Sequence, residues 1–136
     1  MFPRTLLALG LLIGAGVALS QSAVAEVAVD AALMKVLDPD ADGTVDLKEA
    51  QAAGAAMFKK LNHDDDGTLD AKELSGRLDE AGLKAADPDN DGTLDEKEYS
   101  ALIEKLFNEA NPDNDGTLDE TELKSPAGQK LLLLIA

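Results

Sequence analysis

One twelve-residue segment recurs four times in this chain, and its copies start 24, 25 and 24 residues apart. They read "DPDADGTVDLKE" (38–49), "NHDDDGTLDAKE" (62–73), "DPDNDGTLDEKE" (87–98) and "NPDNDGTLDETE" (111–122). A fixed period marks a repeated structural unit, and it constrains the fold before composition does. Between the copies only 12, 13 and 12 residues remain (50–61, 74–86 and 99–110). At about 1.5 Å per residue this is room for one helix of roughly 18 Å. Each spacer helix must therefore leave one loop and enter the next.

Within each copy, oxygen-bearing groups fall at positions 1, 3, 5, 7, 9 and 12, and glycine stands at position 6. This is the EF-hand rule for a hard cation: side-chain oxygens, one backbone carbonyl at position 7, a sharp glycine turn and a bidentate glutamate at the end. The first loop offers Asp38, Asp40, Asp42, the Thr44 carbonyl, Asp46 and Glu49. The second offers Asn62, Asp64, Asp66, Thr68, Asp70 and Glu73. The third offers Asp87, Asp89, Asp91, Thr93, Asp95 and Glu98, and the fourth Asn111, Asp113, Asp115, Thr117, Asp119 and Glu122. A solvated acidic run does not place glycine and glutamate at fixed offsets four times. Position 8 is Val45, Leu69, Leu94 and Leu118. An apolar residue there suits a short two-stranded contact between paired loops, with the choice of partners left open.

The spacers carry helical periodicity. Ala53, Met57, Phe58 and Leu61 mark one apolar face in the first, and Leu102, Ile103, Leu106 and Phe107 another in the third. The second spacer is weaker, since Gly76 and Gly82 interrupt Leu74 and Leu78. Leu33, Met34 and Leu37 precede the first loop. After the fourth, Ser125 and Pro126 suit an N-cap and a first helical residue. The run from Leu131 to Ile135 is too short to span a bilayer and is expected to pack on the other helices.

The N-terminal 25 residues differ from the rest. Arg4, an apolar run from Leu6 to Leu19 and the closing Ala23-Val24-Ala25 read as a secretory signal peptide over 1–25. One domain over 26–136 is then expected, in the periplasm and with no membrane span of its own. Without Arg4 the chain has 11 basic and 27 acidic residues, a net charge of −16. That sign disfavours a nucleic-acid partner. From residue 26 on, only three aromatics (Phe58, Tyr99, Phe107) and so high a charge predict incomplete folding without cations. There is no cysteine, hence neither a disulfide nor a thiolate site. A single histidine and no visible nucleophile–base pairing argue against an enzyme.

An all-oxygen donor set excludes soft metals, and magnesium is too small and too reluctant to lose water. Calcium and trivalent lanthanides remain, and charge separates them. The first and third loops carry five carboxylates each at ligand positions, the second and fourth four each, 18 in total. Four divalent ions would bring −16 to −8, and four trivalent ions to −4. Crowded carboxylates repel one another, so the higher charge gains more. Aspartate at position 9 in all four loops adds an anion that can bind directly or hold a metal-bound water, unless it faces solvent. Proline at position 2 (Pro39, Pro88, Pro112) restricts the chain and lowers its ordering cost. The second loop has His63 there instead, read as exposed because position 2 points away from the ion.

Four tandem loops with position-2 proline, position-9 aspartate, short spacers, a signal peptide and "SPAG" after the last loop resemble the lanmodulin family. The resemblance covers essentially the whole chain from residue 26. It implies an all-α fold, a compact three-helix bundle with the loops at its edges and short helices shared between them. It also implies up to four lanthanide(III) ions bound in preference to calcium, a weaker competitor. Ordering on binding and a role in lanthanide trafficking for methanol oxidation complete the expectation. The first and third sites are expected to be strongest; Asn62, His63 and Asn111 depart from the five-carboxylate pattern. A periplasmic calcium buffer or sensor is the alternative, although Met34 and Met57 are too few for a methionine-rich target groove. A calcium-dependent interaction module is another. The dockerins it would resemble have two copies, usually ending in aspartate. A periplasmic protein partner is left unspecified.

Overall fold

The computed structural model describes residues 26–136, and the segment read as a signal peptide lies outside the described residues. The chain is mostly helical. Six helices alternate with four two-residue strands: α1 (Ala31–Leu37), β1 (Val45–Asp46), α2 (Leu47–Leu61), β2 (Thr68–Leu69), α3 (Glu80–Ala85), β3 (Leu94–Asp95), α4 (Glu96–Glu109), β4 (Thr117–Leu118), α5 (Glu120–Lys124) and α6 (Pro126–Ile135). No helix among them is long and apolar enough to cross a membrane.

The helices begin where side chains satisfy their free N–H groups. Asp46 caps α2, Asp95 caps α4 and Asp119 caps α5, each in a reciprocal box with the glutamate three residues on. Ser125 caps α6 with Pro126 at its first position. The second spacer differs from the other two. Residues 71–77 form turns, Gly76 has φ 82°, and only Glu80–Ala85 is helical, started by Asp79. A positive φ interrupts a right-handed helix, and glycine adopts it at little cost.

Helices α2, α4 and α6 pack pairwise against one another, and α5 packs on α6. Their apolar faces meet in one connected cluster that includes Phe58, Tyr99, Ile103, Phe107, Leu131, Leu132 and Leu134. Phe58 and Tyr99 meet edge to face, ring centres 5.6 Å apart. The Tyr99 hydroxyl donates to the Leu134 carbonyl, so its polar end is satisfied at the centre of the core. Burial, slightly offset by Arg77, raises the pKa of that hydroxyl. The C-terminal run thus packs inward. Arg77 closes its end, donating from Nη1 to the Leu133 and Ala136 carbonyls at 2.7 and 3.1 Å. Gln129 ties down the start of the described residues, accepting from Val27 N at 2.7 Å and donating to Val27 O at 3.1 Å.

The strands join the loops in two antiparallel pairs. β1 pairs with β4, setting Val45 opposite Leu118, and β2 pairs with β3, setting Leu69 opposite Leu94. All four of these position-8 residues are 0% exposed. Each pair therefore joins one loop that begins with aspartate to one that begins with asparagine.

Candidate metal centre

Each loop makes its tight turn through two left-handed residues. Positions 4 (Ala41, Asp65, Asn90, Asn114) have φ near 57–60°, and the glycines at position 6 (Gly43, Gly67, Gly92, Gly116) have φ 82–87°. The turn bends the backbone N–H groups inward, where position-1 carboxylates collect them. Asp38 Oδ2 accepts from Gly43 N at 2.8 Å and Oδ1 from Asp42 N at 3.1 Å. Asp87 repeats this with Gly92 N at 2.8 Å and Asp91 N at 3.3 Å. Position 5 organises the next turn: Asp42, Asp66, Asp91 and Asp115 each accept from the N–H and hydroxyl of the threonine two residues on, at 2.8–3.2 Å.

Carboxylates converge in three of the four loops. Asp87, Asp89, Asp91 and Glu98 bring one oxygen each within 4.8 Å of one another in the third loop. Asp38, Asp40 and Glu49 do so in the first, and Asp113, Asp115 and Glu122 in the fourth. Among the described residues the second loop forms no such group. Its Asn62 amide lies against Asp64, Asp66 and the Thr68 carbonyl, and Asn111 stands likewise against Asp113, Asp115 and the Thr117 carbonyl. The position-7 carbonyls of Thr68 and Thr117 therefore face the loop centres. Such groups are all hard oxygen donors of the kind calcium and lanthanides take.

The aspartates at position 9 have a role that the ligand pattern did not reveal. Asp46, Asp70, Asp95 and Asp119 accept from the N–H of Glu49, Glu73, Glu98 and Glu122 at 2.8–2.9 Å. In return each glutamate accepts from the aspartate N–H at 2.8–3.0 Å. None of the four belongs to a converging group. The signal was nonetheless present, because D-x-x-E is a capping box as well as the end of a metal loop. His63 is exposed, and its ring Nδ1 lies 2.9 Å from the Leu61 carbonyl, outside the loop centre.

Crowding perturbs the carboxyls where they meet. A shared hydrogen bond with Asp87, followed by burial, pushes Asp89 up to about 6. Burial also acts on Asp87, but its bonds from Asp89, Gly92, Asp91 and Asn90 outweigh it and hold that carboxyl below its usual value. The first loop repeats the split, with Asp40 raised by Asp38 and then by burial, and Asp38 lowered. Burial raises Glu49 and Glu122. Below about pH 6 the closed, cation-free third loop therefore favours a proton shared between Asp87 and Asp89. Its raised pKa favours closure fully below the ordinary carboxyl value of 3.8, and that contribution is lost as pH rises through about 6. A cation competes for the same oxygens. Affinity at this loop is expected to fall up to tenfold per unit as pH drops below about 6, with proton release on binding at about pH 5 and little at about pH 7. Calorimetry in buffers of differing ionisation enthalpy checks this; equal affinity across that range would contradict it.

Comparison with protein-family models and with curated proteins finds no match to the chain.

Proposed function

We propose that this chain binds trivalent lanthanide ions in the periplasm and orders as it does so, in lanthanide uptake or trafficking for methanol oxidation. On this reading it is a member of the lanmodulin family and a binding protein rather than an enzyme. The architecture is then a compact three-helix bundle of α2, α4 and α6 with four EF-hand loops at its edges. The observation that carries the reading is the third loop, where Asp87, Asp89, Asp91 and Glu98 converge within 4.8 Å while Asp89 is pushed up to about 6. Four carboxyls this crowded repel one another and gain more from a trivalent than from a divalent ion. The first loop, with Asp38, Asp40 and Glu49, supports the same reading. Calcium fits the same oxygen set as a weaker competitor, which makes a periplasmic calcium buffer the second reading.

Titration of the metal-free chain with lanthanum and separately with calcium, followed by circular dichroism, tests the proposal. Helix content is expected to rise at far lower free lanthanum than calcium. Equal midpoints would leave the calcium buffer.

A further inference from the structure

We propose that the gap left by the broken second spacer is a binding site for a small apolar carboxylate, an anionic head on a hydrocarbon body. The first and third spacers lie in helices of 15 and 14 residues, whereas the helix of the second has 6, because the chain turns at Gly76 with φ 82°. What a longer helix would have covered stays open. A cavity of about 430 Å³ lies there, between the turn at Gly76, α3, α4 and α6. Small-ligand sites occupy about 300–1,000 Å³, and at about 30 Å³ per water-sized atom this one has room for roughly a dozen. Its floor is Leu78, Leu102, Leu106 and Leu133, of which Leu78 and Leu133 are half-buried. No residue of the four loops lines it.

Charge identifies the occupant. From residue 26 on, acidic residues outnumber basic ones 27 to 11, yet at this cavity Arg77, Lys105 and Lys130 stand against only Asp79 and Glu109. Both acids are engaged. Asp79 Oδ1 accepts from Gly82 N at 2.7 Å as the cap of α3, and Glu109 pairs with Lys105 at 3.9 Å. Arg77 and Lys130 have no carboxylate partner among the described residues. Arg77 is also fixed in place. Its Nη1 donates to the Leu133 and Ala136 carbonyls at 2.7 and 3.1 Å, which engages two of the five guanidinium N–H groups. Nε and Nη2 carry the other three, with no acceptor among the described residues. Those two nitrogens form an edge that takes both oxygens of one carboxylate. A guanidinium already held by α6 loses little freedom when an anion arrives. Lys130, exposed on α6, adds a second cation at the rim. A bare inorganic anion would leave the leucine floor in water, and an uncharged hydrocarbon would leave the guanidinium edge unused. Together the two features select an amphipathic carboxylate. The cavity of about 540 Å³ beside α1 and α2 is apolar too, with Leu33, Val36 and Met57, but its cations are Lys48 and Lys60 and it has no arginine.

Octanoate is the probe, titrated into the chain from residue 26 with lanthanum, with calcium and with neither. Circular dichroism follows helix content, and amide nitrogen–proton spectra locate the site. Saturable binding at sub-millimolar octanoate is expected in the ordered chain, with shifts at Gly76, Arg77 and Leu133. Octanol and acetate, which keep the body or the head alone, should each bind at least about tenfold more weakly. Arg77→Lys keeps the charge and a donor for α6 but loses the two-nitrogen edge, and should weaken octanoate about tenfold. Ala85→Trp, at an exposed position on the cavity wall, should fill the space and abolish binding without reaching the core. Should Arg77→Lys fail to order, the octanol comparison and Ala85→Trp decide. Octanol equal to octanoate, binding unchanged by Ala85→Trp, shifts confined to the cavity beside α1 and α2, or no binding under any of the three conditions would overturn the proposal. Sedimentation as a dimer with the same residues shifted would assign the cavity to a second copy and overturn it too. The site does not depend on which ion the loops take, so equal lanthanum and calcium midpoints overturn only the lanthanide preference.

Discussion

Replacing Gly128 with alanine is expected to destabilise the ion-loaded chain by about 1–3 kcal/mol, although alanine ordinarily gains about 1 kcal/mol over glycine inside a helix. The reversal comes from the junction of α5 and α6. A Cβ at Gly128 would overlap the Glu122 and Leu123 carbonyl oxygens. These are backbone atoms and are held in place: Ser125 N and Oγ donate to Glu122 O at 3.1 and 2.6 Å, and Gln129 Nε2 donates to Leu123 O at 3.3 Å. Relief requires α6 to move away, and Leu131, Leu132 and Leu134, each 0% exposed, would move with it. Gly54 offers a contrast, since an added methyl there meets chiefly the movable end of the Ile103 side chain. For a domain of this size each kcal/mol lowers the melting temperature by about 4–8 °C. An unchanged or higher melting temperature for Gly128→Ala would mean that the two helices are not in such close contact in solution.

Glu98→Gln should separate binding from structure. One Glu98 oxygen accepts from Asp95 N at 2.9 Å, and the backbone N–H of Glu98 donates to Asp95 Oδ1 at 2.8 Å. A glutamine retains both bonds, so the start of α4 should persist. It removes a full charge and a ligand oxygen from the group of Asp87, Asp89, Asp91 and Glu98. Loss of a partner outside the ligand shell typically costs 10–100-fold in metal affinity, so loss of a direct ligand should cost more than about 100-fold at this loop. Competition with a chelator reads the affinity, and circular dichroism at saturating lanthanum reads the helix. Affinity within tenfold of the unmodified chain would remove Glu98 from the ligand set.

Much of this arrangement was legible because each requirement is local. Glycine at position 6 announces a left-handed backbone, and Gly43, Gly67, Gly92 and Gly116 all adopt one. An apolar residue at position 8 announces a strand contact, and Val45, Leu69, Leu94 and Leu118 make it. Gly76 and Gly82 signalled a weak second spacer, and the chain turns at Gly76 before α3 begins. Strand partners were not legible, because leucine or valine at position 8 fits against any other copy. Nor was the hold of Arg77 on the end of α6, which joins residues 56 and 59 positions apart. The capping role of Asp46, Asp70, Asp95 and Asp119 was hidden by a motif that reads equally well as ligand and as cap. The loop centres were legible only as a donor inventory.

The two strand pairs are nested like brackets. Leu69 and Leu94 lie 25 positions apart in sequence, whereas Val45 and Leu118 lie 73 apart. Chain entropy alone makes the outer closure about 1 kcal/mol more costly than the inner one. The inner bracket needs no help from the termini. The outer one joins the first loop directly to the strand that leads into α5 and α6. On the proposed reading, an ion taken by the first loop would therefore be tied through this pair to the order of the last helix, some eighty residues further on.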